Sequence, residues 1–182
     1  KTLASFPFTY DTAFDGTGEG AGTLWNLTEG WLLSEDGKTK LSSHLADGTA
    51  LTFTYKYEAG AADGTKDHVR VLATGMPLGG YWLFEVPVKD MPAGTYNITY
   101  KQSASATGPN YFIMEVSVDG QNWSENPVLQ YTVPDFVDKA NRRVFQLPGT
   151  KYITVNLPDE LLGKDKVYVR LRPISTRGGT AA

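Results

Sequence analysis

Tyr111-Phe112-Ile113-Met114-Glu115-Val116-Ser117-Val118-Asp119-Gly120 is the stretch that decides the fold. Phe112, Met114, Val116 and Val118 recur at every second position. On an extended chain they share one face and Glu115 falls on the other, the signature of a half-buried strand. Asp119-Gly120 then offers the positive φ of a tight hairpin. The same alternation recurs on either side. It places Trp82, Phe84, Val86 and Val88 on one face, then Tyr96, Ile98 and Tyr100, and finally Val167, Val169 and Leu171, with Tyr168, Arg170 and Arg172 outward. Leu51–Tyr57 alternates too, with Phe53, Tyr55 and Tyr57 together. No window repeats apolar residues at three and four for three turns, so no long helix is expected.

Asp36-Gly37, Asp47-Gly48 and Asp63-Gly64 repeat the Asp-Gly turn signal, and Pro92-Ala93-Gly94 and Leu147-Pro148-Gly149 are turn-like. With shorter runs near Phe6, Trp31, Val69, Leu129, Val144 and Ile153, the spacing predicts about eleven strands. One-turn helices are expected only near Asp135–Asn141 and Asp159–Gly163. The fold class is all-β: a two-sheet antiparallel sandwich. Its core is predicted from Phe84, Val86, Tyr96, Ile98, Phe112, Met114, Val116, Val169 and Leu171. No repeat or linker divides residues 1–182, which read as a single domain. It has a glycine-rich loop over Asp11–Gly22 and a tail over Ser175–Ala182.

The 182 residues are 41% hydrophobic and 20% charged, the balance of a globular chain. Seventeen Lys plus Arg stand against twenty Asp plus Glu, a net charge of −3 with no basic block, which argues against a nucleic-acid partner. There is no cysteine, so disulfides, thiolate metal sites and thiol nucleophiles are excluded. No run approaches the ~18 apolar residues of a transmembrane helix. The first residue is Lys1, as in a mature chain whose leader is not shown.

Three segments together carry a resemblance. They are Phe84-Glu85-Val86-Pro87-Val88 leading into Pro92-Ala93-Gly94-Thr95-Tyr96, the Ser-x-Asp-Gly-x-x-Trp run of Ser117–Trp123, and Lys166–Pro173. The chain resembles the galactose-binding-like jelly-roll modules of surface lipoproteins and polysaccharide-utilisation proteins of gut Bacteroidetes, over most of residues 80–173. That resemblance implies an extracytoplasmic module, secreted or anchored at the cell surface, without catalysis of its own. Its partner would be a glycan or a cell-surface protein. Such modules close with one more strand after the one at Val167–Arg172. The tail Ser175–Ala182 has two glycines and no alternation. The expectation is therefore a free edge at Val167–Arg172, completed by a missing tail, by Ser5–Thr9 or by a neighbouring molecule. The resemblance also implies a structural Ca²⁺ in a loop. Asp11, Asp15 and Glu19 are the candidate ligands, although their spacing is not that of an EF-hand and a solvated loop is the commoner use of such carboxylates.

Aromatic residues are the leading binding candidates. Trp25 and Trp31 flank the polar turn Asn26–Gly30, and an aromatic at a loop can stack on the apolar face of a sugar. Tyr168, Arg170 and Arg172 form a second candidate face, Tyr and Arg being common anchors of binding surfaces. Trp82 reads as core, and Trp123 as packing back over its hairpin. Catalytic sets are thinner. Ser42 or Ser43 with His44 has no Gly-x-Ser-x-Gly turn. Glu85 and Glu115 form a conceivable glycosidase pair, but Arg170, Arg172 and Lys101 on similar faces make ion pairs their natural use. His44 and His68 lack metal-ligand spacing. Asn26, Asn97 and Asn122 head Asn-x-Ser/Thr triplets, which the bacterial resemblance deprives of weight as glycan acceptors. Carbohydrate binding is the first reading. Adhesion to surface proteins is the alternative and a glycan hydrolase or lyase the third.

Overall fold

A computed structural model describes residues 4–6, 25–26, 29–58, 68–73, 75–89, 95–100, 102–104, 108–133, 143–144 and 153–176. These residues form thirteen strands and one short 3₁₀ turn. In chain order the strands are β1 (Trp25–Asn26), β2 (Trp31–Leu33), β3 (Lys40–His44), β4 (Phe53–Glu58), β5 (His68–Ala73), β6 (Tyr81–Pro87) and β7 (Asn97–Tyr100). They continue with β8 (Ser103–Ala104), β9 (Pro109–Ser117), β10 (Leu129–Thr132), β11 (Arg143–Val144), β12 (Ile153–Asn156) and β13 (Lys166–Thr176). Seven of them form one sheet in the order β1-β2-β3-β6-β13-β9-β10, and the ladders β4–β5, β7–β12 and β8–β11 complete the set. Every pairing is antiparallel. The fold is all-β. Among the described residues no helix is long and apolar enough to cross a membrane.

Alternation along each strand sorts the large sheet into two faces, because directly paired residues point the same way. One row runs Leu41, Phe84, Val169, Val116, and the next Ser43, Trp82, Leu171, Met114, Leu129. Met114 and Val169 are 0% exposed. Ile98 and Tyr100 of β7, Val155 of β12, and Leu157 and Leu161 beyond it pack against this face. The main core therefore lies between the seven-stranded sheet and the β7–β12 ladder. Each apolar side chain buried there is worth about 1.5–3 kcal/mol. A second cluster holds Phe112, Tyr131, Val133 and Ile153, with the Phe112 and Tyr131 rings stacked at 5.7 Å.

The predicted core is observed in Phe112, Met114, Val116, Val169 and Leu171, all buried, with Phe84, Val86 and Ile98 half-buried and packed against them. Tyr96 is half-buried outside that cluster. Val118 departs from expectation: it is 46% exposed. The strand ends at Ser117, and the hairpin turn carries Val118 off the pleat. Turns sit at Asp36-Gly37, Asp47-Gly48 and Asp119-Gly120, and the helical turn near Asp159 is the 3₁₀ segment Asp159–Leu161. Asp135–Asn141, Asp63-Gly64, Pro92-Ala93-Gly94 and Leu147-Pro148-Gly149 lie outside the described residues.

The free-edge expectation is overturned. Val167–Leu171 pairs with β6, and Tyr168–Thr176 pairs with β9, so β13 is central and bonded on both sides by its own chain. The outer strands of the sheet are β1 and β10. Ser175 and Thr176, read as tail, extend β13 opposite Tyr111 and Pro109 through an irregular register. Pro173 is tolerated in a central strand because its missing N–H faces the β6 side just beyond the end of β6. There its carbonyl accepts a bond from the Gly79 amide at 3.4 Å. Ser5 does not cap β13 either: its carbonyl accepts from the Glu35 amide at 3.0 Å, beside the turn after β2. Residues 7–9 lie outside the described residues.

Candidate functional site

Among the described residues, the face of the large sheet turned away from the core gathers a set of aromatic and charged side chains. One row across it runs Trp31, Ser42, Leu83, Arg170, Glu115. The neighbouring row runs Lys40, Glu85, Tyr168, Ser117. Trp31, Tyr168, Arg170 and Arg172 thus share one face. Trp31 and Arg170 are three strand spacings apart, about 14 Å. Trp31 is half-buried and donates from Nε1 to Glu29 Oε2 at 2.8 Å. Trp25 opposes Leu32 in β1, and its side chain lies outside the described ones.

Glu115 is the centre of the charged part. Arg170 Nε donates to Glu115 Oε2 at 2.7 Å. Arg172 binds side-on, with Nε to Oε2 and Nη2 to Oε1, both at 3.0 Å. The Glu115 side chain is 9% exposed, Arg170 18% and Arg172 29%. Burial pushes the Glu115 carboxyl up, but hydrogen bonds from Arg172 and Arg170 and their charges outweigh it and hold the group below its ordinary range. The same bond raises Arg172 further. Glu85 pairs with Lys166 at 3.4 Å and Lys40 at 3.8 Å. Both carboxylates of the conceivable glycosidase pair are thus engaged by cations on neighbouring strands.

Arg170 also stands over aromatic rings. Its guanidinium carbon is 3.9 Å from the Trp123 ring centroid and 5.6 Å from that of Tyr81. Tyr81 stacks on His44 at 5.1 Å, and Lys166 lies 5.7 Å from the Tyr168 ring. His44 Nδ1–H donating to the Gly48 carbonyl at 3.0 Å leaves Nε2 to accept from the Ser42 hydroxyl at 2.8 Å. A backbone carbonyl stands where a serine–histidine triad would need an acid, and Ser42 is buried.

The loop after β9 places Trp123. Ser117 Oγ donates to Asp119 Oδ1 at 2.9 Å and accepts from the Gly120 amide at 2.9 Å. Asp119 Oδ1 accepts from the amides of Gln121 and Asn122 at 2.8 and 2.7 Å, and Oδ2 from Asn122 Nδ2 at 2.7 Å. These bonds hold the Asp119 carboxyl well below its usual range. Gly120 has φ +73°, and a Cβ there would stand 3.2 Å from the Tyr168 ring, so the loop lies over Tyr168. Ser-x-Asp-Gly-x-x-Trp therefore encodes a pinned turn that lays Trp123 on Arg170.

The sequence reading set Glu115 outward with Arg170 and Arg172 as natural ion-pair partners, as found, but named neither Trp123 nor Tyr81 as a candidate for this face. Trp123 carried a signal in its motif. Tyr81 carried only its place on the strand opposite Trp82. Asp11, Asp15 and Glu19, the expected calcium ligands, lie outside the described residues, as does the His68 side chain. Among the described residues no three His, Asp or Glu side chains gather as a metal site would require. Compared with family models, curated proteins and solved structures, the chain finds no match in any of the three.

Proposed function

We propose that the chain is a non-catalytic, extracytoplasmic carbohydrate-binding module of the galactose-binding-like jelly-roll type, docking its ligand on the outer face of the seven-stranded sheet. One observation carries the reading: aromatic and guanidinium side chains stand together on that face, Tyr81, Tyr168 and Trp123 beside Arg170 and Arg172. Aromatic rings offer platforms for the C–H faces of pyranoses, and fixed Arg donors can bind hydroxyl oxygens. A sheet face is shallow, so affinity for each site is weak. Extracytoplasmic location and the jelly-roll assignment rest on the resemblance carried by residues 80–173. So does calcium at Asp11, Asp15 and Glu19, which a chelator-induced drop in melting temperature would test.

Protein adhesion predicts instead a continuous apolar patch. Val118 and Ile174, the exposed large hydrophobics among the described residues, stand at opposite ends of the β9–β13 ladder, which favours the glycan reading. A glycan array followed by calorimetry tests it. Binding should fall at least tenfold in Tyr168→Ala or Trp123→Ala. Binding that ignores both substitutions would remove the site, and an array without a single glycan hit would remove the function.

A further inference from the structure

Two guanidinium groups share one carboxylate on the outer face, and the donors they leave over are arranged. Arg172 meets Glu115 through its Nε–Nη2 edge, so its other edge, Nη1 with the second Nη2 hydrogen, points away from the ion pair. Arg170 uses only Nε, and neither of its Nη atoms has a hydrogen-bond acceptor among the described residues. The Trp123 ring packs against the Arg170 guanidinium, its centroid 3.9 Å from the guanidinium carbon, and a packed side chain costs less to order on a ligand. Lys40, opposite Glu85, and Lys166, opposite Pro87, both pair with Glu85. Among the described residues of this face, Glu115 and Glu85 are thus taken up by four cations, and Asp119 and Glu29 by hydrogen bonds from Asn122 and Trp31. A neutral sugar needs donors and acceptors in comparable number. This face instead leaves guanidinium donors of Arg172 and Arg170 over once its carboxylates are engaged, and an end-on Arg edge matches the two oxygens of an oxyanion.

Resting on the carbohydrate reading above, we infer that the ligand is an acidic glycan, whose ring carboxylate or sulfate seats on the free edge of Arg172 beside Arg170. Arg172 is the more exposed of the two and sits one position beyond the Leu171–Trp82 pair, next to Tyr81. The Tyr81 ring is already stacked on His44 and faces Arg170, so the free edge of Arg172 beside it is what an acid group would meet.

Affinity electrophoresis of the full chain at fixed ionic strength tests this with polygalacturonate, dextran sulfate, neutral dextran, neutral galactan and poly-glutamate. Retardation by polygalacturonate or by dextran sulfate, and not by the neutral polymers, is expected. Whichever of the two retards more strongly distinguishes carboxylate from sulfate. Arg172→Gln should weaken it about tenfold or more, Arg172→Lys only in part, and Lys89→Gln, a cation paired with Asp165 elsewhere, not at all. The ligand panel on the unsubstituted chain decides even if Arg172→Gln fails to fold. Binding to the neutral polymers as strong as to the acidic ones overturns the inference and leaves the carbohydrate reading standing. Equal retardation by poly-glutamate overturns the glycan as the acid's carrier. Retardation by none of the polysaccharides removes both.

Discussion

Glu115 shows how a single side chain ties two neighbouring strands of a sheet face together, β9 carrying the acid and β13 both arginines. It receives three charge-assisted hydrogen bonds from Arg170 and Arg172, and its own exposure is small. Glu115→Gln keeps the shape and removes the charge, leaving two guanidinium groups side by side. We expect a loss of about 2–4 kcal/mol in denaturant unfolding, less than for a fully buried pair because both arginines reach solvent. The carboxyl titrates below its ordinary value of 4.5 in the folded chain. A depressed carboxyl contributes its stability fully above the unfolded value and loses it as pH falls through the folded one. The wild type should therefore lose this contribution in acid below about pH 4.5, and Glu115→Gln should lack that part of the acid dependence. A variant with the full acid dependence would show that Glu115 is not paired in solution. The outward position of Tyr168, Arg170 and Arg172 was legible in the sequence, because each alternates with a core residue. That both arginines meet one carboxylate was not, since it depends on which strand lies beside β13.

The hairpin loop Ser117–Trp123 is the element that shapes the aromatic and charged part of the outer face. Its geometry is local: the Asp119 carboxylate collects four donors from within three residues on either side. Asp119→Ala should speed amide hydrogen exchange at Gln121 and Asn122 while core amides in β9 and β13 keep their protection. Unchanged exchange at those two amides would refute the pinning. Gly120→Ala places a side chain at positive φ and against Tyr168, and should cost roughly 1–2 kcal/mol with the Tyr168 ring displaced. The turn itself was legible from Asp119-Gly120. The landing of Trp123 on Arg170 was not, because β13 follows the loop by more than forty residues. Val118 was misread for a related reason: alternation continues past the end of a strand on paper, but the pleat stops where the ladder stops.

At the scale of the molecule, the core between the seven-stranded sheet and the β7–β12 ladder sets stability. Met114→Ala should cost about 2–5 kcal/mol, since Met114 is fully buried among residues from several strands. Val118→Ala should stay within about 0.5 kcal/mol. Equal costs would mean that the strand faces are reversed. The strand character of β6, β7, β9 and β13, their inward residues and the Asp-Gly turns were determined by the sequence alone, because a period of two and the φ preferences of a turn are properties of adjacent residues. Strand order was not. The last long strand enters the middle of the sheet between β6 and β9, rather than an edge, because the free energy of sheet pairing is set by side-chain fit across strands distant in the chain. That central placement decided everything about the outer face. Arg170 comes to Glu115 on one side and to Tyr81 on the other only because β13 has a neighbour on each.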